Sequence, residues 1–320
     1  MIPTLDLGPY LAGDTKARDS LATKLRDIQE NVGFYIVINH GVHHSTIERA
    51  YDALRQFFSL PLKEKLKVKI NENSVGYVPI RSTVYVTSKF NKNTKKDLNE
   101  TITIARERSF DDEDILAGLR FVGPNQWPEG MPEFRNAMIA YQEALARLGY
   151  AMLPLYALAL DLPASYFDPH FTRPTWWTRN AYYPAVEPDD NQFGISPHSD
   201  HGFITLLPMS SVAGLEILSQ KGDWIPAVPV ENGIIVNTGE FLNRWSNGRF
   251  LATPHRVIPP PEDRYSMAMF FNPNPDTLAT PLHSCVTDKR PAEFEPITLI
   301  DYMCWYIDNN YKKEAGGIQK

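Results

Sequence analysis

The segment Ser196-Pro197-His198-Ser199-Asp200 places an imidazole and a carboxylate at positions i and i+2. On a strand, side chains alternate faces, so both groups point to one side, with Ser199 on the other, and can grip one ion. A second imidazole, His255, stands in Thr253-Pro254-His255-Arg256-Val257, and the short apolar segments before it can return the chain to the same end of a barrel. Two imidazoles and one carboxylate leave three positions of an octahedron open. That suits iron(II) taking a co-substrate and oxygen together, whereas zinc is more often tetrahedral and offers no redox change. An isolated His-x-Asp pair carries little weight, since a lone histidine is more often a surface or hydrogen-bonded residue; the distant partner makes the difference.

Arg264 and Ser266 repeat the i, i+2 spacing at the head of an apolar segment running to Phe271. A guanidinium is a rigid fork of donors that matches a carboxylate, and a hydroxyl can add a further bond, so a dicarboxylic co-substrate fits. Taken alone, an exposed arginine in a polar turn after Pro259-Pro260-Pro261 is the commoner case. Trp176, Trp177, Tyr182, Phe193 and Phe271 could line an apolar pocket, although aromatic residues on short strands are more often core. His201, expected on the opposite side of a regular strand from Asp200, and His283, outside these motifs, read as structural.

The elements that must position these groups fall into two halves. Leu21, Leu25, Ile28 and Val32 share one helix face, ended by Gly33, and the β-branched run Phe34 to Ile38 reads as a buried strand ending in the turn Asn39-His40-Gly41. Ser45 and Glu48 have the spacing of a capping box ahead of Ile47, Tyr51, Leu54 and Phe58, a helix that stops at Pro61. Residues 70 to 130 read as loops and short strands. Met138, Tyr141, Leu145, Leu148, Met152 and Leu155 then mark a long helical stripe that Pro154 should kink or interrupt.

From about Trp176 the pattern changes to short strands at Phe203 to Leu207, Leu215 to Leu218, Ile234 to Asn237 and Tyr265 to Phe271. A double-sheet jelly roll or related barrel buries such strands without long open edges. The predicted architecture is therefore mainly β, a jelly-roll core with helices outside it. Residues 1–115 form an N-terminal helical and strand region and 116–320 the catalytic core with a long helix and a C-terminal tail, together one compact unit.

Composition narrows the classes. The chain has 320 residues, 43% hydrophobic and 22% charged, enough for a large core. A net charge of −6, with only the loose cluster Lys89, Lys92, Lys95 and Lys96, gives little support to nucleic acid as a partner. No apolar run reaches the roughly 18 residues of a membrane span, and the start has no signal-peptide pattern, so the chain reads as cytoplasmic. Cys285 and Cys304 form no CxxC pair and read as buried structural thiols. A monomer is the expectation.

Several ordered motifs resemble the iron(II)/2-oxoglutarate dioxygenase superfamily, specifically the branch that includes isopenicillin N synthase, gibberellin oxidases and flavonoid oxidases. They are Ile2-Pro3-Thr4-Leu5-Asp6-Leu7, Gly33-Phe34-Tyr35 through Asn39-His40-Gly41-Val42, Asp97-Leu98-Asn99-Glu100, Tyr182-Tyr183-Pro184, His198-Ser199-Asp200, Asn237-Thr238-Gly239-Glu240, Thr253-Pro254-His255-Arg256-Val257 and Arg264-Tyr265-Ser266. The resemblance implies a double-stranded β-helix in which His198, Asp200 and His255 hold iron(II) while Arg264, Ser266 and Tyr183 bind the distal carboxylate of 2-oxoglutarate. Some relatives carry asparagine before the paired tyrosines where this chain has Ala181, which removes one co-substrate contact or passes it to another group.

The same resemblance implies an oxygenase that consumes 2-oxoglutarate and O2, releases succinate and CO2, and oxidises a small organic substrate. Hydroxylation is the first outcome to expect, with desaturation, ring closure or demethylation as variants set by which carbon is positioned. Asp200 argues against a halogenase, whose relatives place a small residue there. Two alternatives stay open: an isopenicillin N synthase-like oxidase that does not use 2-oxoglutarate, and a non-catalytic metal-containing β-barrel binding module. Gln319 loosely resembles that synthase's C-terminal glutamine ligand but reads as tail.

Overall fold

In the computed structural model, which describes residues 1–84, 88 and 90–310, the strands form two principal sheets. In chain order they are β1 (Thr4–Asp6), β2 (Phe34–Ile38), β3 (Gly76–Val78), β4 (Glu100–Ala105), β5 (Thr175–Tyr183), β6 (Ile195–His198), β7 (Ile204–Pro208), β8 (Leu215–Leu218), β9 (Trp224–Pro226), β10 (Ile234–Thr238), β11 (His255–Val257) and β12 (Arg264–Asn272). The larger sheet runs β1-β2-β10-β7-β12-β5-β4-β3 and the smaller β6-β11-β8-β9. Among the described residues, β1 and β2 pair in parallel and every other pairing in these two sheets is antiparallel.

Period-two alternation sorts the residues of the large sheet. On β12, Arg264, Ser266, Ala268 and Phe270 face the space between the sheets, whereas Met267, Met269 and Phe271 join the core on the helical side. Phe34, Ile36, Ala181, Tyr183 and Ile235 pack against Ile195, Leu215, Ile217 and Val257 of the small sheet, which closes the jelly roll at that end.

Helices cover the outer face of the large sheet: α1 (Thr15–Asn31), α2 (His44–Phe58) and α3 (Pro132–Ala159). Two shorter helices, α4 (Glu240–Trp245) and α5 (Leu299–Asn310), lie later in the chain. Asp14 caps α1 by accepting from the N–H groups of Lys16 and Ala17 at 2.8 and 3.1 Å. Gly33 ends it at φ +71°, and a Cβ there would meet the Leu251 carbonyl and the Thr253 hydroxyl at 2.4 Å. Arg26 on α1 donates to the Ala159 and Leu158 carbonyls at 2.8 and 3.1 Å, tying α1 to the last carbonyls of α3.

Several expectations are corrected here. The helix after the Asn39-His40-Gly41 turn begins at His44 and has no side-chain cap, so Ser45 and Glu48 form no capping box. The turn itself sets the start: Asn39 and Gly41 have positive φ, and the His40 Nδ1 accepts from the Val42 N–H at 3.1 Å. Pro154 does not interrupt α3, which is helical from Pro132 to Ala159 and locked to the sheet by Tyr141, whose hydroxyl donates to the Met267 carbonyl at 2.5 Å. Cys285 is buried, but Cys304 is only half-buried. Lys95 pairs with Asp189 at 2.9 Å and Lys92 and Lys96 are exposed, while Lys89 lies outside the described residues, as does Gln319. No helix among the described residues is long and apolar enough to cross a membrane.

Candidate metal centre and substrate cavity

β6 delivers His198 at its last position, and β11 delivers His255 at its first, directly opposite in register. Asp200 sits two residues past the end of β6, so the strand alternation foreseen for the pair does not carry it there. Backbone bonds do that instead: the Glu240 N–H donates to the Asp200 carbonyl at 2.7 Å. The His198 Nε2 lies 3.9 Å and the His255 Nε2 3.6 Å from the Asp200 Oδ1. One ligand atom from each of the three residues falls within 4.8 Å of the others, a set able to hold one divalent ion.

The surroundings prepare these donors. The His198 Nδ1 is 2.8 Å from the Ser196 carbonyl and the His255 Nδ1 3.3 Å from the Thr253 carbonyl, and a proton assigned to each Nδ1 by that partner leaves the Nε2 lone pair facing the carboxylate. Burial and the neighbouring His255 push His198 down to about 3, so its imidazole is neutral at physiological pH. For Asp200, burial works to raise the pKa, but the two imidazoles and hydrogen bonds from Asn237 and Thr205 outweigh it and hold the carboxyl below its usual range. Both of those bonds, at 2.6 Å, fall on Oδ2, which leaves Oδ1 for the ion.

A cavity of about 330 Å³ opens from this cluster between the two sheets. On its wall Arg264 is 3% exposed, its Nε donating to the Val212 carbonyl at 3.2 Å while its Nη1 is buried with no hydrogen-bond partner among the described residues. Tyr183 lies directly across the ladder, its ring centre 5.1 Å from the guanidinium carbon, and Ser266 follows on the same face. A buried guanidinium nitrogen without a partner is costly. A carboxylate seated there would satisfy it, and that is the donor set a dicarboxylic co-substrate needs. Ala181, opposite Ser266, contributes no polar group.

Away from Arg264 the wall changes character. Successive rows across β4, β5 and β12 read Thr103, Arg179, Ala268 and then Ala105, Trp177, Phe270. Phe121 stacks on Trp177 at 5.5 Å. Arg120 and Asp308, both on the cavity lining, form an ion pair at 2.9 Å. Of the aromatic residues singled out in the sequence, Trp177 lines the cavity; Trp176 and Phe271 stack together in the core, Tyr182 stacks on Tyr265, and Phe193 lies under Arg256.

His201 is not turned away from the site as a regular strand would require. It lines the same cavity, 8% exposed, stacked on Tyr306 at 5.0 Å and packed on Phe270 and Trp177, and burial lowers it to about 4. The backbone after His198 is irregular, so period two no longer applies. His283 is exposed in a short helical turn distant from these motifs in sequence. Thr205, Asn237, Arg179, Glu240 and Tyr306 also surround the site. Asn237 and Glu240 belong to the motif Asn237-Thr238-Gly239-Glu240, whereas Thr205 and Tyr306 carry no sequence signal of their own.

Comparisons with known proteins agree with this architecture. The family of the non-haem dioxygenase in morphine synthesis N-terminal region matches residues 2–130, and the 2OG-Fe(II) oxygenase superfamily matches residues 175–273. The chain is 33% identical to the 2-oxoglutarate-Fe(II) type oxidoreductase hxnY of Emericella nidulans over 98% of its own length and 90% of that protein. It is 33% identical to homoarginine-6-hydroxylase of Arabidopsis thaliana over 92% of its length and 83% of that protein. A full-length Neurospora crassa protein, solved in complex with alpha-ketoglutarate (2-oxoglutarate) and thymine, superposes with a TM-score of 0.84 at 27% identity, covering 96% of both chains. With these relatives spanning nearly its full length, the chain belongs to the 2-oxoglutarate- and iron(II)-dependent oxygenase superfamily, an oxidoreductase that takes iron(II), 2-oxoglutarate and O2.

Proposed function

We propose that His198, Asp200 and His255 hold the iron, that Arg264, Ser266 and Tyr183 receive the distal carboxylate of 2-oxoglutarate, and that the protein hydroxylates a small organic molecule in the adjoining cavity. The observation that carries the assignment is the buried Arg264 Nη1, without a hydrogen-bond partner among the described residues, in the same cavity that the triad lines. Iron(II) with 2-oxoglutarate supplies the activation of O2 and the oxidising power, at the cost of 2-oxoglutarate becoming succinate and CO2. The chain's own residues do the rest. His198 and His255 offer their Nε2 lone pairs, Asp200 offers one oxygen while Thr205 and Asn237 hold the other, and the Arg264 fork fixes the far end of the co-substrate.

The mixed wall of Trp177, Phe121, Thr101, Thr103 and Arg179 suits a small organic guest with both apolar and polar surface. Thymine in the Neurospora crassa complex is a guest of that size. We also read the chain as a cytoplasmic monomer on the isopenicillin N synthase-like branch. A binding module with a closed metal sphere is disfavoured, since the set offers three protein ligands and leaves the remaining positions to guests.

The test is succinate release from 2-oxoglutarate by purified protein, with iron(II), O2 and a panel of small metabolites each added or withheld. Release that needs iron and O2, and rises with one class of metabolite that gains a hydroxyl, supports the proposal. Oxidation of a metabolite with no 2-oxoglutarate requirement would favour the oxidase alternative.

A further inference from the structure

The loop from Ser199 to Phe203, which carries Asp200, is held by its carbonyls. The Asp200 carbonyl accepts from the Glu240 N–H at 2.7 Å, the His201 and Gly202 carbonyls share the Phe241 N–H at 3.3 and 3.2 Å, and the Phe203 carbonyl accepts from the Gly239 N–H at 3.0 Å. The start of α4 thus takes four of the five. The fifth, on Ser199, accepts from the Tyr306 hydroxyl of α5 at 2.8 Å.

Glu240 ties the same two helices together a second time. One of its oxygens accepts from the Ser199 hydroxyl, and the other accepts from the Tyr302 hydroxyl at 2.5 Å. Burial and the facing Glu240 raise Tyr302 above its usual range, so it stays a neutral donor. Tyr302 and Tyr306 are 3% and 4% exposed, and the Tyr306 ring lies flat against His201 at an interplanar angle of 11°. The neighbouring Ile307 and Asp308 of α5 line the cavity. One turn of α5 therefore faces the metal loop and the cavity together.

We propose that Glu240 and Tyr306 are positioning residues through which α5 sets the Asp200 carboxylate for metal binding. The proposal rests on the reading of His198, Asp200 and His255 as the ligand set. Neither residue touches the ligand atoms. They act by fixing the backbone of Ser199 and Asp200, and a loop freed to rotate would draw Asp200 Oδ1 away from the two imidazole nitrogens.

The test is Mn(II) binding to apoprotein, measured as free Mn(II) by electron paramagnetic resonance, with thermal unfolding of each apoprotein recorded alongside. Tyr306→Phe removes one hydroxyl and keeps the ring against His201; it should raise the Mn(II) dissociation constant roughly 10-fold, the effect typical of losing an outer-sphere contact. Glu240→Ala should raise it further, and Glu240→Gln, which keeps the acceptor for Ser199, should restore part of the loss. Asn309→Ala, exposed on the same helix, should bind like the unaltered protein. Variants with lower unfolding temperatures but Mn(II) affinity within two-fold of the unaltered protein would reduce both residues to structural ones and overturn the proposal. If Glu240→Ala does not fold, Tyr306→Phe decides alone. An unaltered protein that binds no Mn(II) would overturn the ligand-set reading, and the proposal with it.

Discussion

The Asn237 side-chain amide donates to the Asp200 Oδ2 at 2.6 Å, the same oxygen that takes the Thr205 hydroxyl, so the other carboxylate oxygen is the one turned to His198 and His255. Asn237→Ala should free the carboxylate to swing. Iron(II) affinity is expected to fall roughly 10- to 100-fold, read as the iron concentration giving half-maximal succinate release, with 2-oxoglutarate affinity changed far less at saturating metal. Unchanged iron dependence would contradict the role given to this bond.

Arg264 makes the complementary prediction for the co-substrate. Arg264→Lys keeps the charge but loses the planar fork, and Arg264→Ala loses both. The alanine variant should weaken 2-oxoglutarate binding by roughly 30-fold or more, about 2 kcal/mol at least, as expected when one partner of a buried charged pair is removed. The lysine variant should fall between. Isothermal titration with metal present measures it, and metal affinity in its absence should not move.

Asp97 carries a pH signature. Its carboxyl is 2% exposed and burial raises it to about 6, against hydrogen bonds from the Ser196 N–H and hydroxyl and the Arg179 charge that work to lower it. The folded protein therefore holds this proton more tightly than the unfolded chain. The stability it contributes is fully present below pH 3.8 and is lost as pH rises through about 6. Asp97→Asn keeps an acceptor for Ser196 without the charge, and should be the more stable protein above pH 6 by up to about 3 kcal/mol. The gap should close below pH 4, as urea midpoints across that range would register. A gap independent of pH would refute the assignment.

Gly149 is where α3 meets the sheet. A Cβ at this position would lie 2.8 Å from the Phe271 ring, which is itself stacked on Phe171 and Trp176 and has nowhere to retreat. Gly149→Ala should destabilise by about 1–3 kcal/mol despite alanine's better helix propensity. Calorimetry would show a lower midpoint, and a higher one would mean that helix and sheet are less closely packed.

The legibility of each feature depends on how local its signal is. Phe34 to Ile38 and Tyr265 to Phe271 are strands because their alternation and branching are written in neighbouring residues, and the residue types of His198, Asp200 and His255 mark them in the chain alone as candidates for one ion, which the fold brings within 4.8 Å of one another. The capping-box spacing of Ser45 and Glu48 misleads because a turn upstream, with Asn39 and Gly41 at positive φ, starts the helix earlier. His201 is misplaced by strand periodicity for a related reason: the ladder ends at His198, and bonds to residues near 240 and at Tyr306 shape the loop beyond it. Contacts between residues so far apart, such as Asn237 with Asp200 or Tyr306 with Ser199, leave no periodic trace in the chain.

The ligand set and the co-substrate site meet in a single anaerobic experiment, in which iron(II) and then 2-oxoglutarate are added to apoprotein and the visible absorption is monitored. The unaltered protein should develop a metal-to-ligand charge-transfer band only when both are present, Arg264→Ala should need far more 2-oxoglutarate to reach it, and His255→Ala should not form it. A band of full intensity in His255→Ala, or none in the unaltered protein, would contradict the account.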